Sequence, residues 1–358
     1  ASSAVNACPP NPAVGCIVTT TNGQRLGAGH TQSIGGPHAE IMALQDAQMC
    51  GHSVVGATAY VTLEPCSHHG RTGPCCDALI AAGIKKVVAT IADPNPLVSG
   101  QGFARLRAAG VEVVVLDPKD PLAIQSRELN IGFFSRMVRK TPWVRMKIAA
   151  SLDGKTALDN GVSQWITSPE ARNDGHNWRE RAGAILTGSG TVLQDNPRLD
   201  VRLPGTNRQP PLVIVDSALQ TPVDAALFLK GRQILIYTAL QNDDRKQALE
   251  ARGATIIDLP GKNDDSSATG KVDLAAMLID LGRREVNELH VEAGHRLNGS
   301  LIHEGLVDEF LMYLAPKLLG QGRGMASFGP LTNLDDAPQL NFISTSLVGP
   351  DLRLLARL

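Results

Sequence analysis

Aromatic residues make up only 4% of this 358-residue chain, and no apolar run is long enough to cross a membrane. Basic charge is not in excess: 34 Lys and Arg stand against 35 Asp and Glu, leaving a net charge of −1. With few stacking rings and no basic field, the surface has little with which to hold a nucleic-acid backbone. No charged-then-apolar segment opens the chain, so no secretory signal is expected. It begins at Ala1 rather than at an initiator Met, which suggests a trimmed or partial N-terminus. The usual dinucleotide fingerprint, G-x-G-x-x-G after a strand, is also missing. The six cysteines, at 8, 16, 50, 66, 75 and 76, are all crowded near the front. That is not the disulfide framework of a short secreted domain. It points to metal binding or catalysis, and to a cytoplasmic location.

The length exceeds what one hydrophobic core usually serves, so two domains are expected, 1–140 and 141–358. Apolar, β-branched runs at 13–20, 57–63, 85–91 and 111–116 read as strands, with helices at 38–50, 75–82 and 102–109 between them. Such alternation argues for a covered, largely parallel sheet. A turn-rich DPKDP at 117–121 leads into a helix over 121–138, and after Thr141-Pro142 the pattern restarts. Strands are expected at 143–151, 184–189, 211–216, 233–237, 287–293, 308–316 and 351–358. Helices are expected at 168–181, 243–252, 273–283 and 295–305. The polar stretch at 261–271 reads as a loop. The fold class is α/β in two domains.

Pro37-His38-Ala39-Glu40 opens the first helix, Glu64-Pro65-Cys66 follows a strand, and Cys75-Cys76 open the next helix. One imidazole and two thiolates give zinc three protein ligands and leave a tetrahedral position for water, whose pKa zinc lowers. Glu40, two residues from the ligand His, is suited to take that water's proton and deliver it to a leaving amine. Spacing alone leaves Cys75 and Cys76 both open as the third ligand. The competing reading is a structural zinc, which needs a fourth protein donor; His68 and His69 are the nearby candidates.

Asn11-Pro12-Ala13-Val14-Gly15-Cys16, His38-Ala39-Glu40, TLEPCSHHGRTGPCCDALIAAG (62–83) and DPNPLVSGQG (93–102) carry a specific resemblance. So do KIAASLDGKTA (147–157), SQWITSPEAR (163–172), LTGSGTVLQDNP (186–197), VEAGHRLNGSLI (291–302) and APKLLG (315–320). Together they resemble bifunctional bacterial riboflavin-pathway proteins. In these a diaminohydroxyphosphoribosylaminopyrimidine deaminase is joined to a 5-amino-6-(5-phosphoribosylamino)uracil reductase. The likeness departs at the N-terminus, where the family carries a full helix before Asn-Pro.

The resemblance implies a cytidine-deaminase-like sheet followed by a dihydrofolate-reductase-like one, with Zn2+ and NADPH as cofactors. The implied first step removes the 2-amino group of 2,5-diamino-6-(5-phosphoribosylamino)pyrimidin-4(3H)-one. The second reduces the ribosyl C1′ to a ribityl chain. It makes Cys75 the third ligand beside His38 and Cys66, with Cys76 a small buried hydrophobe. It makes Asn11 a pyrimidine contact, Arg71 a phosphate partner, and Asp93 and Asn95 contacts on the ribose side. Each also has a plainer reading, as a turn residue or a solvated loop residue.

In the second half, Gly188-Ser189-Gly190-Thr191 follows a strand, and Glu292-Ala293-Gly294-His295-Arg296 precedes a helix. Small residues let backbone approach a pyrophosphate, and a helix N-terminus offers free N–H groups. Alone, either loop would be only a turn. The resemblance implies NADPH contacts at Ala149, Trp165, Thr191, Asp195, Ser217, Gly294, His295, Arg296, Leu297, Asn298, Gly299 and Ser300, with Arg296 toward the 2′-phosphate. It implies substrate contacts at Ser163, Arg179, Leu199, Arg202 and Glu292. Lys147, Asp195 and Glu292 are the ionisable candidates for catalysis. Lys147 lies in an apolar strand, so it either points outward or faces a site.

A nucleic-acid or nucleoside deaminase with a non-catalytic C-terminal domain would share the zinc chemistry, but it lacks the basic groove and aromatics such enzymes need. A zinc-stabilised binding module is opposed by the combination of His38, Glu40, Cys66 and Cys75. The partner expected is a small phosphoribosyl pyrimidine, with no nucleic acid and no membrane. A homodimer is expected, since reductase folds of this type pair through C-terminal strands.

Overall fold

Along Gly15–Thr19 (β1), Cys16 and Val18 are buried and Ile17 is exposed, the alternation of a strand lying on a core. The structure, a computed structural model, describes residues 1–6, 8–68, 73–96, 98–206, 208–262 and 268–358. Contacts divide the chain into two units, Ala1–Lys140 and Thr141–Leu358.

In the first unit β1 is followed by β2 (Arg25–His30), α1 (Ala39–Met49), β3 (Thr58–Val61), α2 (Cys75–Ala81), β4 (Lys86–Ala89), α3 (Gln101–Ala108), β5 (Glu112–Val115), α4 (Pro121–Leu129) and α5 (Ile131–Arg139). Strand order is β2-β1-β3-β4-β5. The sheet is mixed rather than largely parallel, because β2 and β3 both run antiparallel to β1 while β3, β4 and β5 are parallel.

β2 is hidden from a propensity reading because RLGAGH has no β-branched residue. Packing demands its glycines. A Cβ on Gly27 would lie 2.3 Å from the Ala43 carbonyl oxygen, and one on Gly29 would lie 2.5 Å from that of Ala39. With Ala39, Ala43 and Ala47 fully buried, α1 rests almost on the strand, and that contact sets where its first turn emerges. The helix expected over 121–138 is two helices. Asn130, between them, turns its buried side chain onto Ala13, accepting from the Ala13 N–H (2.7 Å) and donating to its carbonyl (3.1 Å).

The second unit contains β6 (Trp143–Ser151), β7 (Lys155–Leu158), α6 (Pro169–Arg181), β8 (Ala184–Gly188), α7 (Ser189–Asp195), β9 (Leu212–Val215), β10 (Ile234–Thr238), α8 (Asp243–Glu250) and β11 (Ala254–Asp258). It continues with β12 (Pro260–Lys262), β13 (Ala268–Val272), α9 (Leu274–Arg283), β14 (Glu288–Val291), α10 (His295–His303), β15 (Glu309–Ala315), β16 (Gly322–Gly324), β17 (Asn341–Val348) and β18 (Asp351–Arg357). A nine-stranded sheet runs β11-β10-β9-β8-β14-β6-β15-β18-β17. It is parallel from β11 to β15 and antiparallel at β18 and β17. The expected loop at 261–271 is corrected in part: β12 and β13 pair antiparallel around residues 263–267, which lie outside the described residues. Such a ribbon is held by backbone bonds and needs no apolar face, so composition conceals it.

Strand β6 separates two environments. Val144, Met146, Ile148 and Ala150 enter the apolar core, while Arg145 points to the other face. Arg145, 2% exposed, pairs with Glu288 (2.6 Å) and with Glu309, and its guanidinium lies 4.5 Å from the Trp178 ring centre. Arg181 binds Glu288 from α6 (2.9 Å), and Arg357 binds Glu309 from β18 (2.9 Å). Burial alone would raise the Glu288 carboxyl, but Arg145 and Arg181 outweigh it and bring it down to about 2. The folded value lies below the ordinary 4.5, so this stabilisation is present above about pH 4.5 and fades as pH falls toward about 2. Denaturant midpoints should drop more steeply through that window in the native chain than in Glu288→Gln. Equal slopes would remove Glu288 from the account.

Candidate metal centre and cleft

His38 occupies the N-cap of α1 with extended backbone, so its ring projects from the helix end while Glu40 sits in the first turn. Cys75 is the first residue of α2. His38 Nδ1 lies 3.6 Å from Cys66 Sγ and 3.3 Å from Cys75 Sγ, and the three donor atoms fall within 4.8 Å of one another. Ordinary Zn–N and Zn–S bonds at tetrahedral angles put a nitrogen and a sulfur about 3.5 Å apart, so the spacing fits zinc. Among the described residues no fourth His, Cys, Asp or Glu joins the group, which argues against a closed structural site. Cys76, also buried, points its sulfur at Asp77 (3.7 Å).

The hydrogen bond from the Cys75 thiol takes Cys66 down to about 4 despite burial, with help from the His38 ring and the Cys75 N–H (3.4 Å). The same bond and burial push the Cys75 thiol up. Glu40 is 3% exposed. Burial raises its carboxyl, its own backbone N–H opposes this, charge on Cys66 adds to it, and the outcome is about 7.

Asp93 is buried beside this centre; burial lifts its carboxyl to about 6, the Asn95 N–H opposes this, and the charges of Glu64 and Cys66 add to it. The Asn95 N–H donates to Asp93 Oδ1 (2.8 Å), closing a turn. Asn11 is half-buried, and its N–H donates to the Cys8 carbonyl (2.8 Å). Arg71 lies outside the described residues. Arg105 has no local signal in the sequence. It grips Asp77 through two nitrogens (2.7 Å each) and donates to the Ser67 carbonyl (3.3 Å), tying α3 to both cysteine-bearing segments.

The second unit carries a cleft of about 1190 Å³. It gathers Lys147, Ala149, Ser163, Trp165, Arg179, Thr191, Asp195, Leu199, Arg202, Glu292, Gly294, His295, Arg296, Leu297 and Asn298. Ser217, Gly299 and Ser300 are not among its lining residues. Ser217 Oγ accepts from the Val272 N–H (3.3 Å), Ser300 Oγ donates to the Arg296 carbonyl (3.3 Å), and Gly299 lies so close to Ser327 that a Cβ would come within 1.9 Å of its carbonyl oxygen. Gly299 and Ser300 belong to the second turn of α10, whose first turn opens on the cleft, and Ser217 follows β9.

β8 and β14 are parallel neighbours; α7 starts directly at the carboxyl end of β8 and α10 follows β14 after Glu292-Ala293-Gly294, with Gly188 and Gly294 as N-caps. A Cβ on Gly294 would lie 3.4 Å from Thr191 Oγ1, so the two helix starts stand side by side at the mouth of the cleft. Both helix starts line one space, where free N–H groups and helix dipoles could hold an anion.

Lys147 turns toward the cleft, with Nζ 3.5 Å from Glu292 Oε2. Arg179 binds Glu292 through Nε and through Nη2 (2.9 Å), and donates from Nη1 to the Asp200 carbonyl (3.0 Å). Burial alone would raise the Glu292 carboxyl, but Arg179 and Lys147 hold it well below the usual range. Arg202, more than half exposed, pairs with Asp200, as does Arg198 (2.8 Å). Trp165 is exposed at the rim, and the Arg172 guanidinium lies 4.4 Å from its ring centre. Arg232 was also invisible in sequence. It is buried, and it donates to the carbonyls of Arg198 (2.9 Å), Leu199 (2.8 Å) and Pro210 (2.9 Å), fixing the loop that carries Arg202.

Elemental analysis should find about one zinc per chain in the native protein and in Cys76→Ser, and a loss of most of it in Cys66→Ser and Cys75→Ser. Retention in either of the last two would break the ligand assignment.

The RibD C-terminal domain model matches residues 142–354, and the cytidine and deoxycytidylate deaminase zinc-binding region matches residues 1–91. The chain is 44% identical over 357 residues to the riboflavin biosynthesis protein RibD of Escherichia coli, covering 96% of this chain and 92% of that protein. It is 38% identical over 343 residues to RibD of Aquifex aeolicus, covering 96% and 91%. The solved structure of Acinetobacter baumannii RibD superimposes with a TM-score of 0.87 at 34% identity, covering 99% and 94%. The Thermotoga maritima diaminohydroxyphosphoribosylaminopyrimidine deaminase/5-amino-6-(5-phosphoribosylamino)uracil reductase gives 0.82 at 30%, covering 98% and 93%. A zinc-fitting donor set ahead of a glycine-mouthed cleft, with likeness along nearly the whole length, means that the chain belongs to the RibD family of bifunctional deaminase–reductases of riboflavin biosynthesis.

Proposed function

We propose that residues 1–140 deaminate 2,5-diamino-6-(5-phosphoribosylamino)pyrimidin-4(3H)-one. We propose also that residues 141–358 reduce the ribosyl group of the product, 5-amino-6-(5-phosphoribosylamino)uracil, with NADPH. The observation that carries the reading is the open three-donor set of His38, Cys66 and Cys75 with the buried carboxyl of Glu40 beside it.

Zinc held by these three side chains supplies Lewis acidity and a lowered water pKa at the open position. Glu40 moves the protons. Near neutral pH its carboxyl exchanges a proton readily, so it takes one from the attacking water and gives it to the departing amine within one turnover. Asn11 meets the pyrimidine, Asp93 and Asn95 meet the ribose side, and Arg71 meets the phosphate.

In the second unit NADPH supplies the hydride. Thr191, Gly294, His295, Arg296, Leu297 and Asn298, at the starts of α7 and α10, would hold it, together with Ala149, Trp165 and Asp195 of the same cleft. Arg202, with a guanidinium still open to solvent, binds the substrate phosphate, beside Ser163 and Leu199. Arg179 is engaged with Glu292, so its work is to hold that carboxylate where Lys147 can use it. Lys147 is the proton donor as the ribosyl ring opens, and Glu292 orients its ammonium group.

Glu40→Gln should keep its zinc and lose ammonia release by about a hundredfold or more, while still reducing pre-deaminated substrate with NADPH. Loss of both activities in a folded variant would refute the two-site assignment. Lys147→Ala should bind NADPH saturably, followed by nicotinamide fluorescence, yet reduce substrate about a hundredfold more slowly.

A further inference from the structure

Glu64 takes no part in the chemistry above, yet it is 3% exposed. Its Oε2 accepts from the N–H groups of Asp93 (3.2 Å) and Gly100 (2.9 Å). Its Oε1 accepts from those of Gly102 (3.0 Å) and Phe103 (3.3 Å). Gly100 is the N-cap of α3 at φ 78° and has no side chain with which to cap, so the first-turn N–H groups would be orphaned. A carboxylate from a distant segment caps the helix instead, and the helix dipole favours its charge. Close approach requires Gly102, where a Cβ would sit 2.0 Å from the Pro65 carbonyl oxygen.

A helix cap does not need the Asp93 N–H. Asp93 lies outside α3, and its own Oδ1 holds the Asn95 N–H. One carboxylate therefore joins the segment entering Cys66, the start of α3 and the Asp93–Asn95 turn. We propose that Glu64 is a positioning residue of the deaminase site: by holding the Asp93 N–H it keeps the Asp93 carboxylate and the Asn95 turn fixed beside Cys66, as a preformed wall for the ribosyl side of the substrate. This rests on the deaminase reading above.

Glu64→Gln tests it, because the amide preserves shape but turns an NH₂ toward one of the two donor pairs. The full chain with its zinc should show KM for the phosphoribosyl diaminopyrimidine raised about tenfold or more, with kcat altered far less. Zinc content and NADPH-dependent reduction should be unchanged. Asp93→Asn should raise KM as well, and the double variant should be no worse than the poorer single one. An unchanged KM, or effects that simply multiply, would overturn the proposal. Should Glu64→Gln fail to fold, hydrogen exchange on the native chain decides instead. The Asp93 amide should be as protected as those of Gly102 and Phe103, and fast exchange there would overturn the proposal. A native chain that releases no ammonia sinks the deaminase reading and this proposal with it. A native chain that does, with normal KM in the variant, sinks this proposal alone.

Discussion

A charged or metal-binding side chain can be kept from water only where opposite charge, or a row of N–H groups, is already fixed to receive it. Both units meet that condition at helix beginnings. His38 and Glu40 are at the head of α1, Cys75 at the head of α2, and the cleft of the second unit opens between the heads of α7 and α10. Where no helix end is at hand, arginine takes over. Arg145 lies between Glu288 and Glu309, and Arg179 lies on Glu292.

The close fit of α1 on β2 is part of the same arrangement. A helix can present His38 and Glu40 at fixed height only if it cannot slide, and the carbonyls of Ala39 and Ala43 against Gly29 and Gly27 leave no room for that. Precision at the reacting end comes from side chains that are missing at the packing end.

What could be read in sequence follows from where the determinants lie. His38-Ala39-Glu40 and the run from Thr62 to Gly83 are legible because the chemistry fixes residue types at short spacing. Most of the strands in the nine-stranded sheet are legible as short apolar runs, because β8, β9, β10 and β14 are buried along almost their whole length. β2 is not, since its glycines answer to a helix and not to strand propensity. The roles of Asn130, Glu64, Arg105 and Arg232 stay silent because each acts on backbone groups far along the chain. Nothing within ten residues of any of them announces the partner. The direction of Lys147 is ambiguous in a run of apolar residues and becomes plain once Met146 and Ile148 are seen to enter the core.

Every strand of the five-stranded sheet lies before residue 141, and every strand of the nine-stranded sheet lies after it. Among the described residues no backbone ladder is shared between the two catalytic halves. Harmful substitutions are thereby compartmentalised: a lesion that unravels one ladder leaves the other's hydrogen bonds made. Selection can tune ammonia release and ribosyl reduction as separable traits within one gene product.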